Sequence, residues 1–402
     1  MKRALLALLV ATGISPDGVA ADLSGRVRLF GARSFLPADD LGRFRDETPR
    51  DLGTTDLRLT WAGREGAVDY ELALEVLAAW DTAGQAFGPD RRGLDLGLEQ
   101  SLGADLGTTQ RLDRLWIGTD LGAWRLRIGR QAASFGGGLV FQPLDLFNPF
   151  SPVQIDRDFK AGDDMIVATR PFDDGSEIGF FAVGRRGEGS GLDAAAGSAA
   201  GRWRGFVGAV SAEVLAGVHL ADPLAALSLS GPLGTALWRL DLVAQRTDGA
   251  TRVSGVANVD WSLLAGGRNL YLFAEYHRSG FGLTTPSVAG LDASPALRRR
   301  VDRGEVFVLG RDYLSVGATL EWHPLLSQNL LAIHEFAGGS QLVQATLEWR
   351  PDDASIWQAS VVAPLGDRGE EFGRLVAGAR PDGSPLTIGG GERLLLRWSL
   401  YF

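Results

Sequence analysis

Leu394-Leu395-Leu396-Arg397-Trp398-Ser399-Leu400-Tyr401-Phe402, the last nine residues, decide how the rest of the chain is read. Counting back from Phe402, every second residue is large and apolar: Leu400, Trp398, Leu396 and Leu394. Side chains alternate across a strand, so this set shares one face while Arg397, Ser399 and Tyr401 share the other. Such a strand needs an apolar medium on one side and a polar one on the other. A soluble sandwich strand meets the same demand, so the ending alone leaves both environments open.

The pattern recurs along the chain in units of roughly ten residues, the format of membrane-spanning strands. Val68, Tyr70, Leu72, Leu74, Val76, Ala78 and Trp80 alternate with Asp69, Glu71 and Glu75. Trp124, Leu126 and Ile128 alternate with Arg125, Arg127 and Gly129, and Trp238, Leu240 and Leu242 with Arg239, Asp241 and Gln245. Leu270, Leu272, Ala274 and Tyr276 oppose Tyr271, Glu275 and His277. Aromatic residues tip the apolar faces (Trp80, Tyr276, Trp322, Trp349), where a bilayer interface favours them. Charges sit mid-strand on the opposite faces. Together these features predict an all-β chain folded as a transmembrane antiparallel up-and-down β-barrel.

Met1-Lys2-Arg3 followed by the apolar run Ala4 to Val10 and the small residues Val19-Ala20-Ala21 predicts a secretory signal peptide over 1–21, cleaved before Asp22. Gly13, Pro16 and Asp17 interrupt the run too early for a spanning helix, which takes about 20 apolar residues. The remainder, 22–402, shows no linker or composition break and reads as a single barrel domain. The chain has no cysteine, so neither disulfides nor thiolate metal sites are expected. The net charge of −9 argues against a nucleic-acid partner, whose phosphates call for a basic face.

Short turns are expected near 63–66, 120–123, 171–176, 265–267, 324–327 and 351–354, and long connections near 36–54, 81–109, 132–163, 279–310 and 365–390. That alternation predicts about 18 strands. The stretch from Leu192 to Leu220 leaves 16 open, because Arg202-Trp203-Arg204 makes a poor turn. Closure requires the last strand to pair with the first, Gly25 to Ser34, since lipid cannot satisfy an open edge.

A strand that ends the chain on Phe402 resembles the closing strand of bacterial outer-membrane barrels, in which the terminal Phe is the assembly signal. The likeness implies that Trp398, Leu400 and Phe402 are read by the barrel-assembly machinery. A second segment, Gly129-Arg130-Gln131 through Asp145-Leu146-Phe147-Asn148-Pro149-Phe150 to Asp163, is similar to one found in an uncharacterised family of porin-like proteins. Leu309-Gly310-Arg311-Asp312-Tyr313 extends the similarity. It implies a location in the Gram-negative outer membrane, contact with lipid and lipopolysaccharide, no cofactor, and diffusion of small hydrophilic solutes. Homo-oligomerisation is left open.

In general porins the third loop folds inward. The resemblance therefore implies that loop 132–162 narrows the lumen, with Phe147, Asn148, Asp156, Arg157 and Lys160 at the constriction. A surface lid is the competing reading. Asp69, Glu71, Glu75, Arg125 and Arg127 are expected to line the pore, either as opposed charges that set up a transverse field or as adjacent salt bridges that stiffen the wall. A structural or surface-binding barrel with a blocked lumen shares every global feature of a channel. A lipid hydrolase reading rests on the spacing of Glu275, His277 and Ser279, but His277 should point into a water-filled lumen, away from lipid. His219, His323 and His334 look isolated, with no metal-ligand spacing. Arg298-Arg299-Arg300 with Arg303 reads as a solvated loop cluster, with lipopolysaccharide as an alternative ligand.

Overall fold

Unpaired N–H and C=O groups in a lipid-facing sheet have no water to turn to, so the edges must meet. In the computed structural model, which describes residues 20–45, 50–81, 92–103, 105–145, 159–187 and 191–402, they do. Arg26–Phe35 of the first strand pairs antiparallel with Glu392–Tyr401 of the last, Val27 opposite Leu400. The expected signal peptide lies outside the described residues, apart from its last two, Ala20 and Ala21, which open the first strand.

The first strands are β1 (Ala20–Phe35), β2 (Arg50–Glu65), β3 (Val68–Asp81), β4 (Gly97–Ser101), β5 (Leu106–Leu121), β6 (Trp124–Gln131) and β7 (Asp163–Pro171). They continue as β8 (Glu177–Val183), β9 (Ser198–Val207), β10 (Val210–His219), β11 (Asp222–Leu233), β12 (Ala236–Thr247), β13 (Ala250–Ala265) and β14 (Arg268–Arg278). The set ends with β15 (Asp312–His323), β16 (Leu326–Glu335), β17 (Gln341–Trp349), β18 (Ser355–Leu365), β19 (Leu375–Ala379), β20 (Pro385–Ile388) and β21 (Glu392–Tyr401). Eighteen of these close an antiparallel barrel in chain order. The other three are β4, which pairs with the long-loop end of β5, and the hairpin β19–β20 in the last long loop.

The count resolves to 18 because Arg202-Trp203-Arg204 lies inside β9 and the turn is Gly208-Ala209. The expected alternation of loop length fails at three places, one of them the five-residue connection 336–340 between β16 and β17. At the long-loop end β10–β11 and β12–β13 are joined by the tight pairs Leu220-Ala221 and Asp248-Gly249, all four residues at positive φ. These corners are roofed by loop 279–311, whose Arg299 bonds Asp248 at 2.7 Å and whose Arg300 bonds Asp222 at 3.2 Å. Long loops of their own would collide with that roof.

Facing follows the alternation. Nine tryptophans (61, 124, 203, 238, 261, 322, 349, 357 and 398) sit on outward positions within a few residues of the short-turn end, forming a one-sided belt of the kind bilayer interfaces favour. Between this belt and the long loops the outer surface is apolar, with Ile117, Phe180 and Leu396 each more than half exposed.

Candidate functional site

The inner wall from β7 round to β18 carries apolar residues at its long-loop half, which is unusual for a water-filled interior. The cause is the segment after β6. Phe135 and Leu144 pack on Met165, Phe181, Leu215 and Val243, and Val140 and Phe141 pack on Val256, Tyr313 and Ile333. Residues 132–145 and 159–162 therefore fold into the barrel rather than over it. From β6 the segment reaches β12, β13 and β14, six to eight strands further round a ring of eighteen, which is close to the opposite wall. Of the expected constriction residues, Phe147, Asn148, Asp156 and Arg157 lie outside the described residues.

Lys160 is described, and it clamps the two arms of the loop. Its Nζ donates to the Ala133 carbonyl at 2.5 Å and bonds Asp145. Burial pushes the Lys160 ammonium down and the Asp145 carboxyl up, each partly offset by the other's charge. The return arm is held by the wall: Arg114 donates to the Lys160 carbonyl at 2.6 Å, and the Gly162 amide donates to Asp113 at 3.2 Å. Asp113 and Arg114 both face inward because β5 bulges there, so that Ala73 pairs with Arg114 and Leu74 with Leu112.

The far arm is gripped through its backbone. Asp241 Oδ2 on β12 accepts from the amides of Gly137 and Gly138 at 2.8 and 3.1 Å. Glu275 on β14 accepts from Leu139, Val140 and Phe141 at 2.6, 3.1 and 2.8 Å. Asn258 on β13 bridges the two, donating to the Gly137 carbonyl and to Glu275, each at 3.1 Å. Glycines are required here. A Cβ on Gly138 would lie 1.9 Å from the Phe141 carbonyl oxygen, and Gly136 has φ +82° with a Cβ position 2.6 Å from Asp241.

The wall under the loop's return arm is dominated by arginine. Arg26 and Arg28 share Asp56 at 2.7 and 3.1 Å, Arg58 and Arg114 share Asp113 at 2.5 and 2.6 Å, and Arg397 lies beside them on β21. The Phe159 ring sits 5.0 Å from Arg26 and 4.5 Å from Arg58, in cation–π range. All five arginines are buried.

The five charges expected to line the pore share the inner face but are neighbours, since β5 alone separates β3 from β6. Asp69 meets Arg127 at 3.4 Å, Glu75 meets Arg111 at 2.5 Å, Arg125 meets Asp120 at 3.1 Å, and Glu71 accepts from Trp116 Nε1 at 2.9 Å. Local pairing, rather than a field across the lumen, describes them.

Three other expectations are corrected. His277 does not meet bulk water; it is buried and stacks on Phe141 at 4.4 Å. Glu275, committed to the loop amides, leaves His277 without an orienting acid, so the hydrolase constellation is not assembled. The arginine cluster is solvated only in part: Arg298 and Arg303 are exposed, pairing with Asp292 and Asp302 and with Glu305, whereas Arg300 is buried over the Phe281 ring at 3.7 Å. His219 is not isolated either, since its Nδ1 lies 2.9 Å from Ser198 Oγ and its Nε2 3.8 Å from Glu305. Gln245, His277 and Arg300 border a cavity of about 70 Å³ between the two loops.

Sequence reading missed Asp241 and the β5 bulge as site features. The signal available was Gly136-Gly137-Gly138 in a long loop, together with the inward carboxylates Asp241 and Glu275 midway along their strands.

The closed eighteen-stranded barrel is matched in fold by solved structures. The chain superposes on Pseudomonas aeruginosa OccK8 (OprE) with a TM-score of 0.54 at 10% identity, covering 95% of this chain and 98% of that one. The fold is the porin barrel. Acinetobacter baumannii OccAB4 gives 0.53 at 11% identity over 96% and 100% of the two chains. Pseudomonas aeruginosa OpdK, solved with vanillate, gives 0.52 at 12% identity over 95% and 99%. No protein-family model and no curated protein sequence matches the chain. At these identities the likeness is one of fold, and the wall carboxylates and arginines stand on this chain's own geometry.

Proposed function

We propose that this protein is an outer-membrane diffusion channel for small hydrophilic solutes, narrowed by its third loop. The observation that carries the reading is the loop strapped across the lumen between Asp113 on one wall and Asp241 and Glu275 on the other. A purely structural barrel has no need to hold a loop at that depth.

One observation favours a second reading, a barrel closed at rest. The mid-lumen arginines are buried, and two apolar clusters fill the opposite side. Single-channel recording in planar bilayers decides between them. The channel reading expects discrete conductance steps, with a reversal potential that moves towards cations when Arg125 and Arg127 are both replaced by Gln. A protein that inserts and never conducts would establish the closed barrel.

A further inference from the structure

We propose that Asp241 and Glu275 are the positioning residues of the pore: acceptor-only carboxylates on the wall that hold peptides 137–141 and so set the open cross-section. The inference rests on the channel reading and adds to it which groups fix the constriction and by what chemistry.

Five consecutive peptide N–H groups end on two carboxylates, and three of the five contacts are 2.8 Å or shorter. Charge-assisted bonds of this kind are roughly twice as strong as neutral ones. A run of successive amides converging on one anion is a nest, normally formed by a protein around a bound phosphate or carboxylate. Here the anion belongs to the wall and the nest to the loop. The arrangement is specific to the ionised acid. A carboxylate offers acceptors at both oxygens, whereas a side-chain amide of the same shape turns an NH₂ donor towards peptide donors. An Asn or Gln can therefore satisfy only part of the set, and each buried amide left over opposes docking. Beyond these, the loop's polar contacts on this side are the Asn258 bond to the Gly137 carbonyl and a Gly136 amide bond to Glu213, and the rest, through Phe135, Val140, Phe141 and Leu144, are apolar and non-directional, so Asp241 and Glu275 supply most of its register.

The same chemistry makes the latch sensitive to acid through Glu275, since protonating that carboxylate removes charge and acceptor capacity together. The groups facing Asp241 are Glu213 on β10, Arg202 on β9, Arg239 on its own strand and Asp260 on β13. Those around Glu275 are Tyr271 and His277 on its own strand, Asp260 through Tyr271, Asn258 on β13, and Tyr313 on β15 beyond His277. His277 stacks against the loop through Phe141 and bears no hydrogen bond to either carboxylate.

The test pairs two measurements on the full-length protein with the double variant Asp241→Asn, Glu275→Gln. Hydrogen exchange of amides 137–141 reads the latch, and single-channel conductance reads the pore; heat-modifiable migration checks that the barrel has folded. The proposal expects exchange protection at these five amides to fall by orders of magnitude and conductance to rise several-fold. Wild-type conductance should also rise as pH falls through the carboxylate range, and that pH response should be absent from the variant. Unchanged protection overturns the proposal while leaving the channel reading intact. Lost protection with unchanged conductance in a conducting wild type overturns it as well, because the loop would then not define the pore. Absence of conductance in both proteins removes the channel reading, and the proposal with it.

Discussion

Glu305 shows how single groups tie the loops to the barrel. It belongs to loop 279–311 and faces His219 of β10 at 3.8 Å and Arg300 and Arg303 of its own loop at 3.9 and 3.6 Å. Burial opposes its ionisation, yet His219 and the two arginines outweigh that cost and hold the carboxyl below the ordinary range. A carboxyl whose pKa is depressed on folding stabilises the docked state fully above its unfolded value, about 4.3, and loses that contribution as pH falls through the lower folded value. Acidification below about pH 4.3 is therefore expected to loosen the loop, with amides of the helix Pro295–Asp302 losing exchange protection before those of β14 and β15. Glu305→Gln should give the loosened pattern already at pH 7. Equal protection in wild type and variant across the whole pH range would show that the Phe281–Leu297 apolar cluster holds the loop without this carboxyl.

At the scale of one strand, alternation makes a prediction that needs no channel. On β3, Leu72 shares its face with Trp61 of β2 and Leu115 of β5, whereas Glu71 shares its face with Trp116, whose indole it accepts from. Arginine at Leu72 should destabilise insertion by roughly 2–4 kcal/mol if that position lies near the bilayer midplane. Arginine at Glu71 should insert with little loss, meeting the water-facing side and the neighbouring Asp69. Unfolding in denaturant from lipid vesicles measures both, and equal costs would mean that the two faces are misassigned. This level of structure was legible in the sequence because period-two patterning depends only on nearest neighbours along the chain. The β5 bulge was not, since nothing in Leu112-Asp113-Arg114-Leu115 marks which residue the partner strand will skip.

The whole barrel depends on one seam. β1 meets β21 over ten residue pairs, and beyond them Gly25 and Phe402 exchange backbone hydrogen bonds at 2.7 and 3.0 Å. The Phe402 ring covers Gly25 so closely that a Cβ there would come within 2.4 Å of it. We expect that deleting Phe402 lowers the yield of heat-modifiable folded barrel while leaving export unchanged, and that Gly25→Val does the same with Phe402 in place. The two variants separate a packing role from an assembly signal. If the deletion alone fails, the residue is read during assembly; if both fail, closing the seam is itself what limits the yield. Normal yield from both would remove Phe402 from either role.

Sequence alone determined the barrel, its strand format, the direction of most faces and the inward-facing charges, because each rests on alternation, turn chemistry and the prohibition on open edges in lipid. It narrowed the strand count but left it between two values. Tertiary structure decided the rest. Whether Asp69 and Arg127 form a field or a pair depends on which strands are neighbours, and they prove to be two strands apart with contact across β5. Whether Arg300 is solvated depends on what lies beneath its helix, and Phe281 lies there. Above all, the tie between Gly137 and Asp241 joins residues 104 apart in sequence, and no periodicity along the chain encodes contact across a lumen. The wall is a local property of the sequence, and what fills it is set by through-space contacts that exist only once the ring has closed.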